Sequence, residues 1–408
     1  MGMKRYKIAM VYLNADDNVG VGAGYIASVI LQHGHSLTFF NTNYDTIEKI
    51  KANVLSVDYD FLFISTNTLF YKKAFDLAKE IKEHKSIKVL LGGIHATILK
   101  AEILKNNPYV DFICVGEGED FVIEFLDCYD TPEFYKIQNL GYLDEDGEVH
   151  INSIRPCTDL SRLPKLKWDL FPATSIINPG PLPGFCYVFS TRGCPYRCTY
   201  CCNTCWLDLY QTEYLRHRDI NVVMEELHYL KDTYKVQTFY FADEMITFNV
   251  PYITELFHRV KNEIGLQYGC MSRVERITPE IVNLFRETGC KYVGLGIECG
   301  NEEFRKKFLN RHMTNEQIIY AFSELRKVPG LKTSSYNMKG YPVDYDAQLT
   351  KETLELNAKL NPDFVGMAIF FPFPGTKLYD YCIENDKIDP EKFNSVTNYY
   401  TKSVLRES

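Results

Sequence analysis

Short apolar segments alternate with amphipathic helical segments along the chain, and this alternation constrains the fold more than any other feature. It occurs five times between about residues 4 and 130. Strands separated by helices pair in parallel and bury both faces of their sheet. Right-handed crossovers then predict a doubly wound, Rossmann-like α/β unit. The predicted strands are Lys7–Tyr12, Ser36–Phe40, Asp60–Ser65, Lys88–Leu91 and Asp111–Val115, and the predicted helices are Gly22–His33, Tyr44–Val54, Tyr71–His84, Ala96–Lys105 and Glu119–Cys128.

A second alternation, of six strands with helices between them, occupies the C-terminal half. Its predicted strands are Cys186–Ser190, Thr238–Phe241, Gln267–Met271, Tyr292–Ile297, Lys332–Met338 and Phe364–Phe371, and its predicted helices are Val222–Thr233, Tyr252–Ile264, Pro279–Thr288, Asn315–Arg326 and Gln348–Leu360. Between the two parts, Asp144–Gly147 predicts a hairpin turn and a proline-rich stretch at 156–185 predicts an irregular connection. We expect an α/β domain at 1–135, a hairpin and linker at 136–180, a second domain at 181–378 and a short cap or tail at 379–408.

Three cysteines after the first strand of the second domain carry the clearest chemical signal. Cys194, Cys198 and Cys201 can hold three corners of an iron–sulfur cluster from one compact loop. A [4Fe–4S] cluster usually takes four cysteine ligands. Three would leave one iron with an open coordination position, as in reactive rather than structural metal sites. A zinc site is the alternative, with Cys202 or Cys205 as the fourth ligand.

The CxxxCxxC spacing, with aromatic Tyr200 before the last cysteine, resembles the radical S-adenosylmethionine (SAM) family. The resemblance covers about residues 186–375 and implies a partial (β/α)6 TIM-type barrel. In this family SAM chelates the open iron, and its reductive cleavage gives a 5′-deoxyadenosyl radical. The cluster loop would lie at the C-terminal ends of the barrel strands, where parallel barrels hold their active sites.

The resemblance also implies a SAM site on the strand ends that follow. Asp243 or Glu244 would bind the amino group of SAM, and Arg273 would bind its carboxylate. Charge-assisted hydrogen bonds suit both ends of a zwitterion. The structural alternatives are a helix N-cap or solvated turn for the acidic pair and a surface salt bridge for Arg273.

Three further residues complete the implied SAM site. Glu298, in the run Gly296–Gly300 that is similar to the family's GIESG element, would face the ribose or methionine part of SAM. Pro374 lies in a loop that resembles the one closing over adenine, and Tyr200 would contribute from the cluster loop. We assign no catalytic residue beyond these cofactor ligands.

A Rossmann-like domain in front of such a barrel resembles the cobalamin-dependent radical SAM enzymes. Three strand-end elements carry this resemblance, because ligands of open α/β sheets bind at the carboxyl edge and glycines let the backbone approach a bulky ligand. The residues expected to bind cobalamin are Ser65, Thr66, Asn67, Gly92, Gly93, His95, Gly116, Glu117 and Gly118. The alternative is a plain α/β domain whose glycines only make tight turns.

The loop after the first strand departs from one cobalamin-domain pattern. Many methyltransferase-type cobalamin domains carry a cobalt-ligating histidine there, whereas the run Asn14–Gly20 contains none. We therefore expect cobalamin to bind without a histidine ligand from the protein. A domain that has lost cobalamin binding is the alternative.

These features together suggest a cobalamin-dependent radical SAM enzyme. The expected reaction is methyl transfer to an unactivated carbon through a 5′-deoxyadenosyl radical and methylcobalamin. The alternatives are a radical rearrangement, oxidation or cyclisation in which cobalamin transfers electrons, and a non-catalytic corrinoid- or cluster-binding protein. The expected partners are a small-molecule, peptide or carrier-bound substrate and an electron donor such as flavodoxin or ferredoxin.

Composition argues against several other classes. The net charge of −8 provides no basic field for nucleic acid. No apolar run reaches the roughly 18 residues needed to cross a bilayer, and no signal peptide precedes the first strand. Thirteen cysteines without an export signal favour reduced thiols and metal ligation over disulfides. We therefore expect a cytoplasmic protein without nucleic-acid or membrane partners.

Overall fold

Seven strands form the sheet of the N-terminal unit in the computed structural model, which describes residues 4–14, 20–178, 180 and 182–406, without the side chains of 212 and 213. The chain divides into two units, Met1–Pro172 and Ala173–Ser408. The strands are β1 (Lys7–Leu13), β2 (Ser36–Asn41), β3 (Phe61–Thr66), β4 (Lys88–Gly92), β5 (Phe112–Cys114), β6 (Leu140–Leu143) and β7 (Val149–Ile151). Their order is β2-β1-β3-β4-β5-β6-β7.

The pairing within this sheet confirms the doubly wound prediction. Strands β1 to β5 pair in parallel, as expected for strands joined by helices. The predicted hairpin is present, with Gly147 at φ 81° in the turn between β6 and β7. This hairpin extends the sheet by antiparallel pairing of β6 with β5.

Six helices cover the sheet of the N-terminal unit. They are α1 (Val21–Gln32), α2 (Ile47–Ser56), α3 (Tyr71–Lys82), α4 (Ile94–Leu99), α5 (Ala101–Asn106) and α6 (Glu119–Cys128). Helix α2 begins later than predicted because the Thr46 side chain caps it by accepting from the Lys49 backbone N–H at 3.2 Å. The single helix predicted at Ala96–Lys105 is split, because Lys100 adopts φ 46° between α4 and α5.

Part of the predicted linker packs on the N-terminal unit. Short 3₁₀ turns form at Leu160–Arg162 and Trp168–Leu170. A side chain at Gly24 of α1 would meet Leu166 and Phe171 at 2.8 Å, so this helix position must stay small. The segment therefore lies directly against α1 although it contains little regular structure.

An open sheet of six parallel strands forms the C-terminal unit. The strands are β8 (Phe185–Val188), β11 (Thr238–Phe241), β12 (Gln267–Ser272), β13 (Cys290–Glu298), β14 (Lys332–Lys339) and β15 (Phe364–Ile369), in the order β15-β14-β13-β12-β11-β8. A two-stranded ribbon of β9 (Thr191–Arg192) and β10 (Arg216–His217) lies outside this sheet. The curled sheet is a half-barrel, which confirms the predicted partial barrel.

In the described part of this unit, ten helices join, precede or follow these strands. They are α7 (Ala173–Ile176), α8 (Asn203–Tyr210), α9 (Ile220–Tyr234), α10 (Val250–Arg259), α11 (Pro279–Thr288), α12 (Glu302–Lys307), α13 (Asn315–Leu325), α14 (Asp346–Leu360) and α15 (Lys377–Glu384), with α16 (Pro390–Ser395) in the tail. Helix α10 continues as a π-helical turn at Val260–Ile264. The predictions missed α7, which lies in the predicted linker, and α8 and α12, which lie in the loops after the three predicted cluster cysteines and after β13.

Candidate cofactor site

The three predicted cluster cysteines lie in one loop between β9 and α8. Cys198 is buried, whereas Cys194 and Cys201 are half-buried, and all three are free thiols. Gly193 opens the loop at φ 102°, and a Cβ there would lie 2.4 Å from the Tyr214 carbonyl oxygen. Only glycine fits this conformation and this close approach, so Gly193 fixes the direction in which the loop leaves β9.

Backbone contacts hold the cysteine loop against neighbouring segments. The Thr199 N–H donates to the Leu309 carbonyl at 3.2 Å, and its hydroxyl donates to the Phe308 carbonyl at 2.6 Å. The Thr199 carbonyl accepts from Leu378 N–H at the start of α15, at 3.0 Å. These contacts span more than a hundred residues of sequence and preorganise the loop.

Asp243 supports the entry to the cysteine loop from the end of β11. Its fully buried Oδ1 accepts from the Ser190 N–H at 2.8 Å and the Thr191 hydroxyl at 2.7 Å, and also from the Thr191 N–H. Burial raises the pKa of this carboxyl to about 6. Oδ2 has no hydrogen-bond partner. The side chain therefore joins β11 to the turn after β8.

Glu244 is more exposed than Asp243 and faces the loop itself. Its Oε2 accepts from the Gly193 N–H at 3.2 Å. The carboxylate thus lies beside the residue that precedes Cys194. Of the two predicted acidic residues, Glu244 has more of its surface open to a ligand.

Arg273 lies against the cysteine loop from the end of β12. Its Nη1 donates to Cys198 Sγ at 3.3 Å, and its Nη2 donates to Glu275 Oε1 at 2.6 Å. The guanidinium carbon lies 3.8 Å from the centre of the Tyr196 ring. Arg273 is therefore a buried partner of the loop, not the surface salt bridge that was its structural alternative.

Glu298, at the end of β13, belongs to a buried group with two other side chains. Arg311 Nη1 lies 3.4 Å from Glu298 Oε1 and donates to Tyr200 Oη at 3.2 Å. Its Nη2 donates to the Gly296 carbonyl. Glu298 has φ 70° and lies at a register shift in the β13–β14 pairing. Such backbone strain is typical of functional positions.

Pro374 is buried in the turn between β15 and α15. The next residue, Gly375, accepts a hydrogen bond through its carbonyl from Cys205 Sγ at 3.2 Å. Thr376 caps α15 by accepting from the Tyr379 N–H at 3.3 Å. This turn therefore lies beside the start of α8, close in space to the residues that follow the cysteine loop.

The residues around the loop suit a [4Fe–4S] cluster and SAM. Burial raises the pKa of the Cys194 thiol to about 12, so a thiolate there needs positive charge such as iron nearby. Within the described ranges, no three His, Cys, Asp or Glu side chains converge on a single metal ion. Buried polar atoms of four side chains also lack partners: Asp243 Oδ2, Arg273 Nε, Glu275 Oε2 and Arg311 Nε.

The predicted cobalamin residues lie along the carboxyl edge of the N-terminal sheet. Asn67 Nδ2 donates to Asn14 Oδ1 at 3.3 Å, joining the ends of β3 and β1. A Cβ at Gly93, which has φ 95°, would lie 2.4 Å from the Thr66 carbonyl oxygen. The loop after β4 therefore packs directly on the end of β3, where Ser65 is half-buried and Thr66 buried.

His95 is buried at this edge. Its Nδ1 lies 3.3 Å from Thr68 Oγ1, and its ring stacks on Tyr71 with centroids 4.5 Å apart. Burial lowers its pKa to about 4, so the ring is neutral near pH 7. Nε2 has no hydrogen-bond partner, which leaves a buried polar atom for a ligand to satisfy.

The glycine-rich element after β5 is held from two sides. The Gly116 N–H donates to Thr97 Oγ1 at 3.0 Å, and Thr97 Oγ1 donates to the Gly93 carbonyl at 3.0 Å. Glu117 Oε2 accepts from the Thr158 N–H at 2.8 Å, so this carboxylate supports the linker segment. The edge fits a bulky ligand with hydrogen-bonding groups.

Of the predicted histidine-free loop, residues 15–19 lie outside the described part of the chain.

Comparison with known proteins identifies both units. A radical SAM superfamily model matches residues 188–367, and a B12 binding domain model matches residues 15–126. The chain belongs to the cobalamin-dependent radical SAM enzymes. It uses a [4Fe–4S] cluster, SAM and cobalamin as cofactors.

Two relatives of this radical SAM enzyme match most of its length. An uncharacterized methyltransferase of Pyrococcus horikoshii is 27% identical over 372 residues, which cover 90% of this chain and 79% of the relative. The anaerobic magnesium-protoporphyrin IX monomethyl ester cyclase of Rubrivivax gelatinosus is 27% identical, covering 91% and 68%.

Solved structures resemble the fold. The radical SAM methyltransferase TsrM from Kitasatospora setae aligns with a TM-score of 0.73 at 12% identity, covering 95% of this chain and 76% of that one. The cobalamin-dependent radical SAM enzyme OxsB aligns with a TM-score of 0.75 at 16% identity, covering 98% and 65%. In the part of the chain that the structure describes, no helix is long and apolar enough to cross a membrane.

Sequence reasoning missed three residues that the structure brings against Arg273 or Glu298. They are Tyr196, Glu275 and Arg311. Glu275 follows Arg273 at the spacing of a local ion pair, which is a weak signal. Arg311 lies in a loop after α12 and carries no strand-end signal, so only its burial against Glu298 reveals it.

Proposed function

We propose that the enzyme transfers the methyl group of SAM to an unactivated carbon of its substrate. The observation that carries this proposal is the contact of three strand ends with one cysteine loop. Glu244 follows β11, Arg273 follows β12 and Glu298 ends β13, and each reaches the loop directly or through Arg311. The naming of several relatives as methyltransferases supports transfer of a methyl group.

In this proposal Cys194, Cys198 and Cys201 hold the cluster and leave one iron for SAM. Glu244 binds the ammonium of SAM, because it is the more exposed residue of the acidic pair. Arg273 binds the SAM carboxylate through Nε, the donor that has no partner. Asp243 positions the loop rather than SAM, because four donors of Ser190 and Thr191 already engage its Oδ1.

Glu298 and Tyr200 orient the nucleoside part of SAM, and Arg311 holds both side chains. Pro374 keeps the turn before α15 in place beside them. When bound, the cluster supplies one electron to SAM, and cobalamin supplies a cobalt centre that can carry a methyl group or an electron. The protein contributes binding, orientation and exclusion of water.

The N-terminal unit holds cobalamin at its carboxyl edge in this proposal. Backbone groups at Gly92, Gly93, Gly116 and Gly118 allow close approach of the ligand, and Ser65, Thr66 and Asn67 provide polar contacts. His95 donates or accepts one hydrogen bond through Nε2. Glu117 shapes the edge by its contact with the linker. The substrate, whether a small molecule, a peptide or a carrier-bound intermediate, and a flavodoxin- or ferredoxin-type electron donor belong to the same proposal.

Product analysis separates methyl transfer from other radical chemistry. The anaerobically reconstituted protein, loaded with cobalamin, is incubated with a low-potential reductant and SAM carrying a deuterated methyl group. S-adenosylhomocysteine is the product when SAM gives up its methyl group, and 5′-deoxyadenosine is the product of reductive cleavage. We expect both from the wild-type protein by mass spectrometry, and S-adenosylhomocysteine alone from Cys198→Ala.

Two other results would contradict methyl transfer. Formation of 5′-deoxyadenosine without S-adenosylhomocysteine would favour a rearrangement or a cyclisation, as the name of the Rubrivivax relative suggests. Formation of neither product, with cluster and cobalamin bound, would favour a non-catalytic binding protein.

A further inference from the structure

Arg273 makes a contact that SAM binding does not require. Its Nη1 donates to the sulfur of Cys198 at 3.3 Å. Cys198 is the most buried of the three loop cysteines, and the Arg273 side chain is itself almost fully buried. A charged hydrogen bond between two buried groups is screened little by solvent.

Two neighbours hold the guanidinium in this position. Glu275 accepts from Nη2 at 2.6 Å, and the Tyr196 ring lies under the guanidinium carbon at 3.8 Å. Tyr196 belongs to the cysteine loop itself, midway between Cys194 and Cys198. The cation is therefore fixed by an ion pair on one side and by a cation–π contact on the other.

A hydrogen-bond donor at a cysteine sulfur changes the reduction potential of the cluster that the cysteine holds. The reduction potential of an iron–sulfur cluster depends on the hydrogen bonds to its sulfurs and on the nearby charge. A donor and a positive charge at a cysteine sulfur stabilise the reduced, more anionic state. Arg311, also buried nearby, directs its donors to oxygen atoms of Tyr200, Glu298 and Gly296 instead.

We propose that Arg273 raises the reduction potential of the cluster through its hydrogen bond to Cys198, and that Tyr196 holds it there. The proposal rests on the assignment of Cys198 as a cluster ligand. It gives Arg273 a role that is complete before SAM binds. Arg273 is therefore a tuning residue of the cluster in addition to any contact with SAM.

The first test measures the cluster potential in the absence of SAM. Arg273→Met keeps an unbranched apolar side chain over the first part of the arginine and removes the donors and the charge. Arg276→Met is the matched control, because Arg276 lies on the same segment but donates to the Thr247 and Phe248 carbonyls. We expect Arg273→Met to make reduction about tenfold less favourable, which is about 59 mV for a one-electron couple, and Arg276→Met to change it little.

The second test leaves every charge in place. Tyr196→Leu removes the ring under the guanidinium, and Tyr196→Phe keeps it. We expect the leucine variant to lower the potential by about half as much as Arg273→Met, and the phenylalanine variant to match the wild-type protein. This pair also tests the proposal if Arg273→Met fails to fold.

Redox titration followed by electron paramagnetic resonance gives the potentials, and iron and sulfide analysis gives cluster content. An unchanged potential in Arg273→Met with full cluster content would overturn the proposal. Equal shifts in Arg273→Met and Arg276→Met, or in the two Tyr196 variants, would overturn it as well. Full cluster content in Cys198→Ala would instead overturn the ligand assignment, so the two failures are distinguishable.

Discussion

The strand ends of the two units differ in the kind of group that they bring together. In the C-terminal unit, charged side chains from successive strands converge on a single loop, as Glu244, Arg273 and Glu298 do. In the N-terminal unit, the strand ends pack on one another through backbone groups and small polar residues, as Gly93 does on Thr66. The C-terminal edge therefore presents charged side chains, and the N-terminal edge presents backbone groups and small polar residues.

The difference matches the chemistry of the cofactor that we propose for each edge. SAM is a small zwitterion beside a cluster, and its ends are recognised by opposite charges. Cobalamin is large and carries many amides, so a close backbone approach and scattered hydrogen bonds suit it better. Single substitutions at the C-terminal edge should therefore have large effects on cofactor binding, and single substitutions at the N-terminal edge should have smaller effects.

The largest effect is expected from the cysteine loop. Replacing Cys194, Cys198 and Cys201 together by Ala should abolish both cluster binding and 5′-deoxyadenosine formation, because it removes all three proposed cluster ligands. Iron content and product analysis measure the two effects. Cys202→Ala is the matched control and should retain the cluster, whereas a normal iron content in the triple variant would show that the loop is not the cluster site.

The next effect concerns the buried His95 in the N-terminal unit. The unfolded chain takes up a proton here as the pH falls below about 6.5, whereas the folded unit does so only near pH 4. Stability is therefore complete above pH 6.5 and is lost as the pH falls toward 4. The full shift is worth roughly 3 kcal/mol at 1.36 kcal/mol per pH unit.

His95→Phe tests this linkage because it keeps a ring against Tyr71. The free energy of unfolding of the cofactor-free protein is measured by denaturant at several pH values between 7 and 4.5. We expect the wild-type protein to lose more stability than the variant over this range. Parallel pH curves would mean that His95 has the same pKa in the folded unit and in the unfolded chain, and the contrast between a neutral edge and a charged edge would weaken.

Much of the fold was predictable from the sequence because the strand–helix alternation is strong. Helices Pro279–Thr288 and Glu119–Cys128 were predicted with their observed bounds. A Thr–Pro pair marks the start of the first helix and a glycine marks its end, and a glycine precedes the second helix. The break at Lys100 was not predictable, because a positive φ is uncommon for lysine and nothing in the residue type signals it.

The candidate site was less predictable from the sequence than the fold was. The three loop cysteines were predicted from their spacing, and Arg273 and Glu298 were predicted from the resemblance to family motifs at strand ends. The side chains that contact these residues could not be predicted from the sequence. Arg311 reaches Glu298 from a loop beyond α12, and the role of Asp243 as a clamp on Ser190 and Thr191 depends on contacts across about fifty residues.

The charged edge can be tested at Arg311. Arg311→Met should weaken SAM binding roughly tenfold to a hundredfold, because it removes charge-assisted contacts worth about 1.5–3 kcal/mol to Glu298 and Tyr200. Equilibrium binding of SAM to the reconstituted protein measures this, with cobalamin binding as an internal control. Arg286→Met is the matched control, because exposed Arg286 pairs only locally with Asn283. Unchanged SAM affinity in Arg311→Met would exclude Arg311 from the site.

The smallest effect is expected at the uncharged edge. Thr97→Val removes the hydroxyl that accepts from Gly116 N–H and donates to the Gly93 carbonyl, so it unlinks two glycine-rich loops without changing side-chain volume. The buried Gly116 N–H is left without its partner, at a cost of about 1–2 kcal/mol. Denaturant unfolding should show this loss of stability, and cobalamin affinity should fall a few-fold while iron content stays constant. Thr97→Ser keeps the hydroxyl and should retain both the stability and the cobalamin affinity of the wild-type protein.

If Thr97→Val binds cobalamin as tightly as the wild-type protein, the packing of these loops does not set the shape of the site. The N-terminal edge must then recognise its ligand through the side chains of Asn67 and His95.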